Sequence, residues 1–143
     1  MSSKRKTAAT LGHLCIEVSN LSNSRRFYEA LLGKLDFKTI MDTRETIGFS
    51  NEVFNVWLVE LRRPRVRREP PIGEESVVAD HSAILVNDKQ TVDLIADEMK
   101  RSGFVALFPP EEHPEFQLGY YAASFCDPDN YVMEIYTKPT RKR

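Results

Sequence analysis

From Thr10 to Val18 the chain alternates: Leu14, Ile16 and Val18 point one way, His13, Cys15 and Glu17 the other. That period predicts a half-buried strand with one apolar face and one face of ligand-capable groups. The period then changes. Phe27 with Leu31 and Tyr28 with Leu32 fall at i,i+4 spacing and predict a helix over 24–32. Asn20, Ser22 or Asn23 can cap it, and Gly33 supplies a left-handed stop. Runs at 35–41, 46–50 and 53–61 predict three more strands, separated by turn signals at Asp42-Thr43 and Asn51-Glu52. The first half therefore reads β-α-β-β-β.

The second half repeats that order. Residues 77–86 form a strand, and Asn87 or Asp88 caps a helix with Val92, Ile95, Ala96 and Met99 on one side, ended by Gly103. A strand over 104–108 and a loop over 109–117 follow, then strands over 120–126 and 131–136. Asp127-Pro128-Asp129-Asn130 between the last two is turn chemistry, since Pro presets one dihedral and Asn tolerates the left-handed conformation. The predicted layout is one α+β domain made of two paired βαβββ modules: a flexible tail 1–9, a module 10–62, a linker 63–76, a module 77–137 and a basic tail 138–143. Pro64, Pro70, Pro71 and Gly73 among charges, with no periodicity, mark the linker. A repeat of this kind is the signature of a duplication.

Composition narrows the class without naming a function. The chain has 143 residues, 41% hydrophobic and 29% charged, long enough for one well-buried core. A formal charge of -1 predicts no general attraction to nucleic acid or membrane. Basic residues cluster at Lys4-Arg5-Lys6, at Arg62, Arg63, Arg65, Arg67 and Arg68, and at Arg141-Lys142-Arg143, and read as solvated tails and an exposed linker. No apolar run approaches the ~20 residues that span a bilayer. The basic N-terminus has no hydrophobic segment behind it, and Cys15 and Cys126 sit inside strand runs, which together predict a reduced, cytoplasmic setting.

The two modules place similar chemistry at similar points. His13 and His81 each open a strand, and Glu60 and Glu134 each interrupt an apolar run in the last strand of a module. A lone carboxylate in such a run is costly if buried and unpaired. Two imidazoles and two carboxylates converging on one divalent cation remove that cost. A mixed nitrogen and oxygen donor set suits Ni, Zn, Co, Mn or Fe(II) and leaves coordination positions for water or substrate. Cys15 and Glu17, which share the face of His13, are candidates for substrate binding together with Trp57, Tyr120 and Phe125, and Phe116 and Tyr121 are further aromatics that could line a ligand cleft.

These residues carry a family resemblance. His13-Leu-Cys-Ile-Glu-Val, followed by Asn20 to Tyr28 and Leu31-Leu32-Gly33, then Asp80-His81, then Gly119-Tyr120-Tyr121 through Asp127-Pro128-Asp129-Asn130 to Met133-Glu134-Ile135, resemble the vicinal oxygen chelate superfamily over roughly residues 11–137. That superfamily includes glyoxalase I, bleomycin-resistance proteins, fosfomycin-resistance proteins and extradiol dioxygenases. The resemblance implies curved mixed sheets enclosing a metal-containing cleft, with His13, His81 and Glu134 as ligands and Glu60 where glyoxalase I has its fourth. It further implies a homodimer and a glyoxalase-like lyase or isomerase. Such an enzyme abstracts a proton from a small oxygen-bearing substrate, with Glu134 or Glu60 as base, and stabilises an enediolate. Glu17 stands where bacterial glyoxalase I has an arginine for glutathione, which argues against strict glutathione specificity. The alternatives are a bleomycin-resistance-type protein that binds a hydrophobic ligand, an Fe(II) dioxygenase, and a fosfomycin-type thiol transferase.

Overall fold

The computed structural model describes residues 9–62, 68–71 and 80–139. The N-terminal basic run, the C-terminal basic cluster, Arg63, Arg65, Arg67, most of the linker and the expected strand start at 77–79 lie outside the described residues. The first module is β1 (His13–Val18), α1 (Leu21–Leu32), β2 (Lys38–Asp42), β3 (Thr46–Ser50) and β4 (Asn55–Glu60). The second is β5 (His81–Leu85), α2 (Lys89–Arg101), β6 (Ala106–Glu112), β7 (Tyr121–Cys126) and β8 (Val132–Thr137). Each module is one four-stranded mixed sheet, ordered β1-β4-β3-β2 and β5-β8-β7-β6. In both, the first and last strands of the module pair in parallel and the others are antiparallel. The fold is α+β, two βαβββ units.

Helix α1 begins three residues earlier than its apolar spacing suggests, because Asn20 is the cap and accepts from the Asn23 N–H at 2.9 Å. Phe27, Tyr28, Leu31 and Leu32 are fully buried against the sheet, each worth about 1.5–3 kcal/mol of transfer free energy. Gly33 is not the left-handed stop expected of it. Its φ is −61°, a short 3-10 turn (Gly33–Leu35) follows, and the left-handed residue is Asp36 at φ 61°. That turn uses up the first residues of the expected strand 35–41, so β2 starts only at Lys38. Helix α2 is capped by Asp88, which accepts from the Thr91 N–H at 2.8 Å, and it buries Val92, Ile95 and Met99. Gly103 ends α2 at φ 88°.

Strand β6 departs furthest from expectation. It runs through Pro109 and Pro110 to Glu112, where a loop was predicted, because it is an edge strand whose pairing with β7 slips at Phe108/Glu111 and leaves no ladder bond for the prolines to break.

The modules meet through their helices and the β7–β8 turn. Phe27 and Phe104 pack edge to face at 5.2 Å, the Tyr28 hydroxyl reaches Asp127, and the Ser19 N–H donates to Asp129 at 3.0 Å. Among the described residues no strand of one sheet pairs with the other, and no helix is long and apolar enough to cross a membrane.

Candidate functional site

Strand register decides which side chains share a face. In the second module His81 lies opposite Val132 and Ala83 opposite Glu134, so His81 and Glu134 project from the same side of the sheet, away from α2. Their tips meet: His81 Nε2 is 3.2 Å from Glu134 Oε2. The second carboxylate oxygen, Oε1, accepts the Tyr120 hydroxyl at 2.5 Å. Glu134 is only 8% exposed, so both contacts count toward the cost of keeping a carboxylate there. Tyr120 in turn stacks on Tyr136, two residues along β8 on the same face, at 4.8 Å. Burial, reinforced by the hydrogen bond to Glu134, pushes the Tyr120 phenol far above its ordinary range, so it stays a proton donor.

The first module matches only in part. His13 and Cys15 are exposed and Glu17 half-buried on the face that α1 leaves open. The residue opposite Cys15, and hence the counterpart of Glu134, is Trp57. Its indole lies over Gly48, where any Cβ would come within 2.3 Å of the ring. Glu60 is elsewhere. It pairs with Val18 on the face that carries Ile16, Val56 and Leu58 under α1, and its Oε2 accepts the Leu21 N–H at 2.7 Å. It thus caps the first turn of α1, where a carboxylate meets the positive end of the helix dipole. Glu60 does not share the open face with His13, as a four-ligand set requires.

Among the described residues, no three or more His, Cys, Asp or Glu side chains converge closely enough to hold a metal. His81 and Glu134 come together; His13 does not join them within the chain. Phe125 is also displaced from its expected role: it is 1% exposed in the core, on the α2 side of β7. Tyr121 points that way too, with its hydroxyl on Asp93 at 2.6 Å. His113 has a side chain only 14% exposed, bonds Glu115 through Nδ1 at 2.9 Å and stacks on Phe116. Arg68 stacks over Tyr131 at 4.6 Å, and its carbonyl accepts from the Asn130 side chain.

Two βαβββ modules, each a four-stranded mixed sheet with a helix on one face and a histidine at the start of its first strand, define the class of fold. The chain belongs to the Glyoxalase/Bleomycin resistance protein/Dioxygenase superfamily, whose family model matches residues 10–135. The uncharacterized Bacillus subtilis (strain 168) protein YqjT is 27% identical over 124 residues, 86% of this chain and 94% of its own. The fosfomycin resistance protein FosX from Mesorhizobium loti superposes with a TM-score of 0.65 at 19% identity, over 93% of this chain and 95% of that one. A lactoylglutathione lyase from Agrobacterium tumefaciens gives 0.65 at 15% identity, over 92% and 96%. At such identities the structural likenesses establish the fold alone.

Proposed function

We propose that the protein is a metal-dependent enzyme acting on a small oxygen-bearing substrate, with a three-ligand centre of His81, Glu134 and His13. The carrying observation is the 3.2 Å approach of His81 Nε2 to Glu134 Oε2. Two donors at that separation fit adjacent positions on one cation of the size of Zn, Ni, Co, Mn or Fe(II), whose bonds to such atoms are about 2.0–2.2 Å. Since His13 is not beside them in one chain, a homodimer in which His13 of one copy completes the centre of the other fits best. A cation there supplies Lewis-acid activation of a substrate oxygen. Glu134 is the candidate base for a carbon-bound proton, and the Tyr120 hydroxyl offers a donor that stays protonated. Lyase or isomerase chemistry follows from that pairing. Glu17 on the His13 face disfavours a polyanionic thiol peptide as the obligatory partner.

A second reading has one observation in its favour. With Glu60 committed to the α1 N-terminus, the protein ligands number three, the count that the family resemblance implies for fosfomycin-resistance proteins and dioxygenases, rather than the four of glyoxalase I. Addition of a nucleophile to an activated substrate oxygen compound therefore competes with proton abstraction.

The test is cobalt content and affinity by elemental analysis and calorimetry, with mass by light scattering. Wild type and Glu60→Gln should bind alike as dimers, and His81→Ala and His13→Ala should lose the metal. A wild type that takes up no metal in excess, yet binds an aromatic ligand, would move the function to sequestration. Turnover of 2-oxoaldehyde thiol adducts against epoxides then separates the two chemistries.

A further inference from the structure

We propose that Tyr120 is a positioning residue for Glu134: its hydroxyl locks the carboxylate in the orientation that presents Oε2 to His81. The functional weight of this rests on the metal-centre reading above; the geometry stands apart from it. A glutamate side chain has three rotatable bonds, and one contact at its tip leaves it free to pivot. Here the two oxygens are held from two directions, Oε2 by His81 at 3.2 Å and Oε1 by Tyr120 at 2.5 Å. The plane of the carboxylate is then fixed, as a ligand or base of defined direction requires.

Tyr120 can do this only if it is itself immobile, and the loop between β6 and β7 is built to make it so. Its ring is stacked on Tyr136 at 4.8 Å and met edge-on by Phe116 at 5.5 Å. Its N–H donates to the Gln117 carbonyl at 2.9 Å and its carbonyl accepts the His113 N–H at 2.8 Å, closing the loop on itself. His113 stacks behind Phe116 at 5.4 Å. The residue before it, Gly119, has φ 81°, and a Cβ there would sit 2.6 Å from Pro139 Cγ. The position excludes larger residues twice over, by backbone conformation and by space. The arrangement runs from a glycine-dependent turn, through one phenol, to one carboxylate oxygen.

Tyr120→Phe keeps the ring and every stack but removes the hydroxyl, so it separates positioning from packing; Tyr120→Leu removes both. Crystal structures of the metal-free wild type and Tyr120→Phe, together with Co(II) calorimetry, read the effect. In Tyr120→Phe the Glu134 carboxylate should turn away from His81, and Co(II) affinity should fall about 10–100-fold. A Tyr120→Phe structure that retains the His81–Glu134 contact overturns the positioning role. So does Co(II) affinity that is unchanged in Tyr120→Phe and reduced only in Tyr120→Leu. If wild type binds no Co(II), the metal reading fails by itself, and the Glu134 conformer in Tyr120→Phe still decides the role of Tyr120.

Discussion

The Tyr28 hydroxyl donates to Asp127 Oδ2 at 2.7 Å, joining helix α1 of one module to the β7–β8 turn of the other across 99 positions of sequence. Both residues are buried, Tyr28 completely and Asp127 to 3% exposure. The other oxygen, Oδ1, accepts the N–H groups of Asp129 and Tyr131, both at 2.9 Å. One carboxylate therefore shapes the turn and ties the modules together. Tyr28→Phe should cost about 1–3 kcal/mol by stranding Oδ2, and Asp127→Ala more, because it strands three donors. Urea unfolding of both variants and their double mutant should give a favourable coupling between the two sites.

The same carboxylate carries a pH signature. Burial raises the Asp127 pKa above its ordinary value, and hydrogen bonds from Tyr28, Tyr131 and Asp129 oppose the rise without cancelling it. A raised folded-state pKa means that the native protein holds more protons than the unfolded chain between the two values. The contribution of Asp127 to stability is then fully present below the unfolded-state pKa and is lost as pH rises through the folded one. Relative to Asp127→Asn, which does not titrate, wild type should gain stability as pH falls from neutrality toward the aspartate range. Parallel urea titrations across that window check the direction; a difference that stays flat or reverses counts against it.

Glu60 should behave as a helix cap. Glu60→Gln retains an acceptor for the Leu21 N–H but removes the charge at the α1 N-terminus, which predicts a loss of about 0.3–1 kcal/mol. Chemical denaturation measures the loss.

Gly48 gives the sheet a direct optical readout, because Trp57 is the one tryptophan in the chain. A methyl group at position 48 would fall 2.3 Å from the indole, so Gly48→Ala forces the ring or the strand to move, and the ring, as a side chain, should lift first. Overpacking of this kind costs about 1–3 kcal/mol. The fluorescence of Gly48→Ala should shift to the red as the ring gains water, and an unshifted spectrum would mean that the strand yields instead.

The order of elements was legible because period and punctuation agree: alternation over β1, i,i+4 pairs in α1, and Asn20, Asp88 and Gly103 at helix ends. The face of Glu60 was legible too, since it shares strand parity with Val56 and Leu58 while His13 opposes Leu14, Ile16 and Val18. Similar sequence spacing in the two modules suggested equivalence with Glu134, but the ladder makes Trp57 the counterpart. Register between β1 and β4 is a tertiary quantity, set by how strands dock, and no local pattern states it. The contact of Tyr120 with Glu134 was hidden for a related reason. It depends on a turn through Gly119 and on aromatic stacking, neither of which has a period. Phe125 alternates with Ser124 and Cys126, which marks a strand but not which of its faces meets the helix.

Prolines in β6 also bear on how these molecules meet one another. An open sheet edge invites a strand from a neighbouring chain, and each residue that joins needs an N–H or a carbonyl to match. Pro109 and Pro110 have no N–H to offer at the outer edge of the second sheet. That margin is therefore a poor template for runaway strand addition, and growth of one chain onto another along β6 is interrupted at its centre.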